Sequence, residues 1–365
     1  VEGRAPLGLS GIVRSLARFL RRRGASAEEI DEARRNGYLT LLALDRTVIP
    51  GARKYTQHEV AARAGTDVDT ARAVWRAIGF PDLPDELPAF TDADVAALRD
   101  FLDRASSPWL FWTSDQALAQ ARITSSALAR IADAESDDLV RSITAARQDG
   151  LGDEEIAERI ADRLDFDEIA RLLDHGHRLQ LRAALWRKLA GSDPDTPGTV
   201  EATVGFVDLV GYTALAEGLD DEELAALIER FSALAHETVV QAGGRIVKTI
   251  GDEVMFIADQ PATGAHIALA LSAASTRDPV LPQARAGLAV GSVLSREGDY
   301  FGAVVNLASR LTRLAFPGTV LVSSEVAAAL EHDDGFRLRR ITRQRVRGIG
   351  RLQVYRLDPA PVPTA

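Results

Sequence analysis

An octet near the middle of the chain constrains the fold most. Gly191-Ser192-Asp193-Pro194-Asp195-Thr196-Pro197-Gly198 holds two prolines and two glycines. Proline lacks an N–H and fixes φ, so neither a helix nor an interior strand runs through such a stretch. The apolar pattern changes across it. Helical periods dominate before the octet, and strands and helices interleave after it. Two units suit a chain of 365 residues. The expected organisation is a helical domain over 1–190, a linker over 191–199, an α/β domain over 200–358 and a tail over 359–365.

In the first part, Leu9, Ile12, Val13, Leu16, Phe19 and Leu20 recur at helical spacing. Ser26, followed by Glu28 and Glu29, predicts a capped helix start, and Thr91 predicts another. Pro81, Pro84 and Pro88 mark a loop between them. Further helices are expected over 153–164 and 167–189. No strand-rich stretch stands out.

In the second part, strands are predicted over 203–209, 284–293 and 319–322, and a hairpin over 245–257 turning at Gly251-Asp252. Helices are predicted over 220–241, 261–275, 304–314 and 324–330, with further strands over 336–357. This alternation predicts one α/β sandwich.

Asp208 ends an apolar strand in Phe206-Val207-Asp208-Leu209-Val210-Gly211-Tyr212-Thr213. Asp252 sits at the hairpin tip in Lys248-Thr249-Ile250-Gly251-Asp252-Glu253. Alone, either Asp reads as a turn or cap residue. Together, two carboxylates on neighbouring strand ends can share hard divalent cations. Two such ions can activate an attacking oxygen and stabilise a leaving phosphate.

These two segments resemble the metal-holding segments of class III nucleotidyl cyclases. Asp299-Tyr300-Phe301-Gly302-Ala303-Val304-Val305-Asn306-Leu307-Ala308-Ser309-Arg310 resembles that family's base-selecting and transition-state segment. The resemblance covers roughly 200–358 and implies a ferredoxin-like βααββαβ catalytic domain. It implies an adenylyl cyclase that converts ATP to 3′,5′-cyclic AMP and pyrophosphate by two-metal-ion catalysis at a homodimer interface. Two Mg²⁺ or Mn²⁺ per site would lie on Asp208, Asp252 and the Leu209 carbonyl. Lys248 and Asp299 align with the base-reading pair, and Asn306 and Arg310 with the ribose- and phosphate-contacting pair. Each composite site would take its aspartates from one chain and the other four residues from its partner. Where the family often has a triphosphate-binding Val-Lys-Gly-Lys-Gly stretch, this chain reads Val346-Arg347-Gly348-Ile349-Gly350. Arg347 keeps the first charge and Ile349 loses the second. Arg343 and Arg345 are nearby alternatives.

The residue chemistry fits this reading. Adenine offers ring-nitrogen acceptors and an amino donor, complementary to a Lys donor and an Asp acceptor. Guanine places O6 where adenine has its amino group, so an acidic acceptor there favours ATP over GTP. Asn306 and Arg310 are four apart and share a helix face.

The first part carries weaker signals. Residues 55–65 and 70–80 resemble a helix-turn-helix with Gly65 in the turn. The alternative function is therefore a DNA-binding regulator whose cyclase-like half senses nucleotide. Asp67 and Asp69 at the head of the second helix would face phosphates unfavourably, so no stable nucleic-acid complex is expected. Arg14, Arg18, Arg21, Arg22 and Arg23 form a basic amphipathic face. Such a face can make a peripheral lipid contact, but a docked arm meeting acidic protein surface is the favoured reading. Trp109, Phe111 and Trp112 read as core or interface anchors.

The layout is similar to that of soluble mycobacterial cyclases with a helical, pH-responsive regulatory domain. An autoregulatory first domain is accordingly expected, with inhibition and pH sensing as its roles. His175 and His177, close to the octet, are candidate triggers because histidine titrates near neutrality. The bland reading is two solvated helix residues.

Composition excludes several classes. No Cys is present, which removes disulfide frameworks, thiolate zinc sites and Cys nucleophiles. A net charge of −10 disfavours non-specific nucleic-acid binding by the whole molecule. No run is apolar for long enough to span a membrane, so a cytoplasmic chain is expected. Starting at Val1, the chain reads as truncated or processed and lacks the layout of a secretory signal.

Overall fold

The structure is a computed structural model that describes residues 9–107, 113–191, 198–341, 344–346 and 350–360. The chain divides into two compact units, Val1–Leu181 and Arg182–Ala365.

Every helix and strand in the described part of the first unit is a helix. They are α1 (Leu9–Arg22), α2 (Ala27–Asn36), α3 (Leu39–Val48), α4 (Gln57–Ala64), α5 (Val68–Ala77), α6 (Asp92–Ala105), α7 (Ser114–Gln148), α8 (Asp153–Arg163) and α9 (Phe166–Gly191), the last running on into the second unit. Ser26 and Thr91 stand at the starts of α2 and α6 in capping boxes. Two apolar clusters form. One joins α1, α2, α3 and α8 through Leu16, Leu20, Ile30, Leu39, Ile156 and Ile160. The other joins α4, α5 and α6 through Val60, Val74, Trp75 and Leu98. The 35-residue α7, not singled out by the sequence reading, links them. Its Leu118 packs on the second cluster and its Ile143 on the first. The start of α3 has no local side-chain cap. Asp153 supplies one from α8, accepting from the Leu39 N–H at 2.6 Å.

The second unit is a mixed sheet with helices on both faces. Its elements are β1 (Thr199–Leu209), α10 (Tyr212–Ala216), α11 (Asp221–Gln241), β2 (Arg245–Ile250), β3 (Glu253–Ala258), α12 (Pro261–Arg277), β4 (Ala284–Arg296), β5 (Asp299–Phe301), α13 (Ala303–Leu314), β6 (Val320–Val322), α14 (Ser324–Ala329), β7 (Phe336–Arg340), β8 (Gln344–Val346), β9 (Gly350–Leu352) and β10 (Tyr355–Pro359). The strand order is β2-β3-β1-β4-β6-β10-β7, β5 pairs with β4, and β8 and β9 form a separate ribbon. β1 runs antiparallel to both β3 and β4, whereas β4 and β6 are parallel.

Strand alternation sorts the apolar side chains. Val207, Leu209, Val254 and Phe256 meet α11 and α12 on one face. Val204, Phe206, Met255 and Ile257 form a cluster with Ala308 of α13 on the other. α13 presses very closely on β4 at Gly287. A β-carbon there would lie 2.3 Å from the Thr312 main-chain nitrogen and 2.5 Å from the Ala308 oxygen. Gly287→Ala should therefore destabilise by about 1–3 kcal/mol through overpacking. Gly218→Ala, whose nearest neighbour would be 3.6 Å away, should be near neutral. Thermal melts of the two variants check this; equal melting temperatures would contradict it.

Candidate active site

The site is built on the α13 side of the sheet. Val204 and Phe206 of β1 point to that side, so Asp208, two residues further on, emerges there at the strand end. The β2–β3 hairpin reverses in two residues, with Gly251 at φ +60°, a conformation that L side chains rarely adopt. Asp252 follows it, and the Leu209 N–H donates to the Asp252 carbonyl at 3.4 Å.

The Asp208 charge reaches Asp252 at this corner. The Asp252 carboxyl is pushed up to about 6, first by burial and then by the Asp208 charge. Glu253, opposite Asp208 in the β1–β3 register, is also raised, by burial and then by Asp208. The balancing cation is Arg285, which the sequence reading missed. It faces Asp208 across β1–β4, and its Nε and Nη2 both donate to Asp208 Oδ2, at 2.8 and 2.6 Å. Only the β1–β4 register brings these residues, 77 apart in sequence, into one cross-strand pair.

These donors fit a divalent cation. They are hard carboxylate oxygens, and an Asp252 carboxyl pushed up to about 6 beside the Asp208 charge marks a corner short of positive charge. Among the described residues, no group of three or more His, Cys, Asp or Glu forms a metal cage. A cation here would thus take two carboxylates and complete its shell with main-chain, phosphate or water oxygen, as Mg²⁺ commonly does.

Lys248 and Asp299 also meet, Nζ to Oδ2 at 2.5 Å. A β-bulge makes this contact. The β2–β3 register runs Ile246↔Phe256 and then Lys248↔Met255, leaving Val247 as the extra residue. Without it, Lys248 would alternate to the α11 face. With it, Lys248 shares the α13 face with Arg245 and reaches β5. Asn306 is exposed and Arg310 half-buried on α13. Among the described residues neither side chain makes a hydrogen bond or ion pair, so no such contact joins them to the two aspartates. The end of α13 does approach that corner, since the Arg313 carbonyl accepts from Arg285 Nη1 at 3.5 Å.

Residues 196–359 match the model of the adenylate and guanylate cyclase catalytic domain. An adenylate cyclase of Glutamicibacter nicotianae is 37% identical over 87% of this chain and 82% of its own length. One from Streptomyces coelicolor is 36% identical over 79% of this chain and 75% of its own. This chain belongs to the class III nucleotidyl cyclases. A pH-sensitive adenylate cyclase of Mycobacterium tuberculosis is 30% identical to the cyclase over 90% of this chain and 84% of its own length. Among solved structures, an adenylyl cyclase from P. aeruginosa is 23% identical and covers 46% of this chain and 98% of its own, with a TM-score of 0.41.

Other sequence candidates fall outside the site. Arg347, Arg343, Trp109, Phe111 and Trp112 lie outside the described residues, as do the side chains of Arg345 and Arg14. His175 and His177 are exposed on α9. The neighbouring Asp174 is engaged by Arg178 at 2.8 Å, which holds its carboxyl below the usual range. In the helix-turn-helix-like pair α4–α5, Gly65 takes φ +83° and Asp67 caps α5. Arg72 pairs with Asp85 at 2.6 Å and Arg76 with Asp82 at 3.1 Å, so both arginines of α5 already have carboxylate partners. On α1, Arg18, Arg21 and Arg22 are exposed, and Arg23 lies over the Phe19 ring. Among the described residues no helix is long and apolar enough to cross a membrane.

The raised Asp252 carboxyl gives a stability prediction. An acid whose folded-state pKa is raised destabilises the fold as pH climbs from its ordinary value, 3.8, through the folded value, about 6. Asp252→Asn should therefore raise the melting temperature of chelator-treated cyclase at pH 7.5, and the gain should vanish by about pH 4. A lower melting temperature at pH 7.5 would contradict this.

Proposed function

We propose that the cyclase is an adenylyl cyclase that turns ATP into 3′,5′-cyclic AMP and pyrophosphate at sites shared between two copies of the chain. The observation that carries this reading is the Lys248–Asp299 pair on the same sheet face as the Asp208–Asp252 corner. A cationic donor beside an anionic acceptor matches a ring nitrogen and the amino group of adenine. It opposes the O6 of guanine. The relatives named adenylate cyclase support the same substrate. The order β2-β3-β1-β4, with helices between β1 and β2 and between β3 and β4, supports the ferredoxin-like βααββαβ description.

In the reaction, the substrate's 3′-hydroxyl oxygen bonds to the α-phosphorus, its proton leaves, and the bond to pyrophosphate breaks. No nucleophile from the chain is needed, so positioning and charge stabilisation do the catalysis. Asp208, Asp252 and the Leu209 carbonyl would hold Mg²⁺ or Mn²⁺, two per site; bound there, such ions would supply acidification of the hydroxyl and positive charge for the phosphates. Arg285 lies against Asp208, so its guanidinium adds positive charge at that corner. Arg347 would serve the triphosphate. Asn306 orients the ribose, and Arg310 pairs with phosphate oxygens as their charge grows.

Dimerisation is supported by what one chain leaves unused. The side chains of Asn306 and Arg310 have no hydrogen-bond or ion-pair partner among the described residues. Ile250 at the end of β2 and Phe301 in β5 expose large apolar side chains, 56% and 48% accessible, close to Asp252 and Asp299 in sequence. A second copy covering that surface would bring its aspartates to the first chain's Asn306 and Arg310. The helical unit is proposed to regulate this assembly, inhibiting it and responding to pH. That reading is supported by the pH-sensitive relative, which this chain matches through both units.

Two results should follow. Asp208→Ala and Asp252→Ala should each lose at least about a hundredfold in turnover while the chain still dimerises, the scale of removing one main electrostatic stabiliser. Near-wild-type cyclic AMP formation at saturating Mn²⁺ would sink the assignment. Asp252→Ala mixed with Asn306→Ala should recover activity that neither has alone, because one of the two heterodimer sites is intact. No recovery in verified heterodimers would place each site within one chain.

A further inference from the structure

We infer that Arg245 and Tyr300 are positioning residues for purine recognition: they clasp β5 to β2 and keep Asp299 within reach of the base when the Lys248–Asp299 bridge opens. This rests on Lys248 and Asp299 reading the base.

Asp299 uses both of its carboxylate oxygens in this structure. Oδ2 accepts from Lys248 Nζ, and Oδ1 accepts from the Tyr300 main-chain N–H at 2.8 Å. A purine that offers an acceptor to Lys248 and a donor to Asp299 must take over the bond between them. When that bond is exchanged, β5 loses a tie to β2.

β5 is three residues long, and its strand partner is β4. Among the described residues, the recorded hydrogen bonds between β2 and β5 are two. One is Lys248–Asp299, and the other runs from Arg245 Nη2 to the Tyr300 hydroxyl at 2.5 Å. The second survives base binding. Its guanidinium also lies over the Tyr300 ring, 5.3 Å from the centroid, which adds a cation–π attraction. The ring packs against the apolar cluster of Phe206, Met255 and Ile257.

Two further facts tie the clasp to Lys248. Val247, the bulge residue, puts Arg245 and Lys248 on one face, so a single register device aims both at β5. Arg245 Nε is buried without a hydrogen-bond partner. Such a group costs stability, and the tyrosine contact at Nη2 is the bond the side chain makes in exchange. Asp299 is fixed in turn by the main chain of Tyr300, so holding Tyr300 holds the acceptor.

The test uses the full-length enzyme with ATP and GTP. Tyr300→Phe keeps the ring and removes the hydroxyl. It should raise KM for ATP about three- to tenfold, the range for one lost hydrogen bond, with kcat within about twofold, and it should narrow the ATP/GTP ratio of kcat/KM. Arg245→Ala should do the same more strongly, and Arg245→Lys should recover part of the loss by restoring a charged donor without the planar fork. Combining Arg245→Ala with Tyr300→Phe should cost less than the sum of the two, because they remove one clasp. An unchanged KM and ATP/GTP ratio in folded Tyr300→Phe, a loss confined to kcat, or additive effects would each overturn the clasp. Lys248→Ala serves as the separate control. If it leaves the ATP/GTP ratio unchanged, the base-reading assignment itself fails; if it shifts the ratio while Tyr300→Phe does not, only the clasp fails.

Discussion

Asp208 and Asp252 crowd together at the end of β1, and the rest of the second unit is arranged around that repulsion. The crowding is set by backbone pairing. β1 is hydrogen-bonded on both edges, to β3 and β4, so Asp208 has no freedom to withdraw. The hairpin loop that carries Asp252 is tied to Leu209 through its carbonyl. A proton taken up by Asp252, whose carboxyl is pushed up to about 6, or Arg285 held against Asp208, partly relieves the charge. A bound cation would relieve it more fully, which is why the proposed metal role and the strained electrostatics are one feature.

The opposite end of the sheet face is organised by a different device. There the problem is to put a lysine and an aspartate from distant segments into one donor–acceptor pair. A single inserted residue in β2 solves it by changing the phase of the strand. The same face must also admit α13, and Gly287 lets the helix backbone come close enough for Ala308 to join the apolar cluster. Asn306, exposed, and Arg310, half-buried, then stand on the side of α13 away from that contact.

The helical unit follows ordinary packing rules with one long-range economy. Two small cores would be marginal alone, since little apolar surface is buried in each. Helix α7 packs on both and makes them one body. Asp153 closes the start of α3 from the far side of the sequence, so the α3–α8 contact satisfies both apolar burial and helix capping.

By itself the sequence determined many of the elements on both sides of the octet, though not α3, α7, α10 or β5, because periods of 3.6 and 2, caps and Gly/Pro breaks are local properties of a chain. It also determined the family and the candidate residues, because Asp208, Asp252, Lys248, Asp299, Asn306 and Arg310 sit inside contiguous motifs. The helix α7 was not legible, since buried residues occur only near its start, at Ala117 and Ala121, and the rest carries little amphipathic signal. Arg285 was not legible either. It belongs to no motif, and only the β1–β4 register sets it against Asp208. The same holds for the bulge at Val247 and the Arg245–Tyr300 contact. Which face a strand residue takes, and which distant residue it meets there, depends on strand partners and register. Those are decided by long-range pairing and burial, and they exist only in the folded sheet.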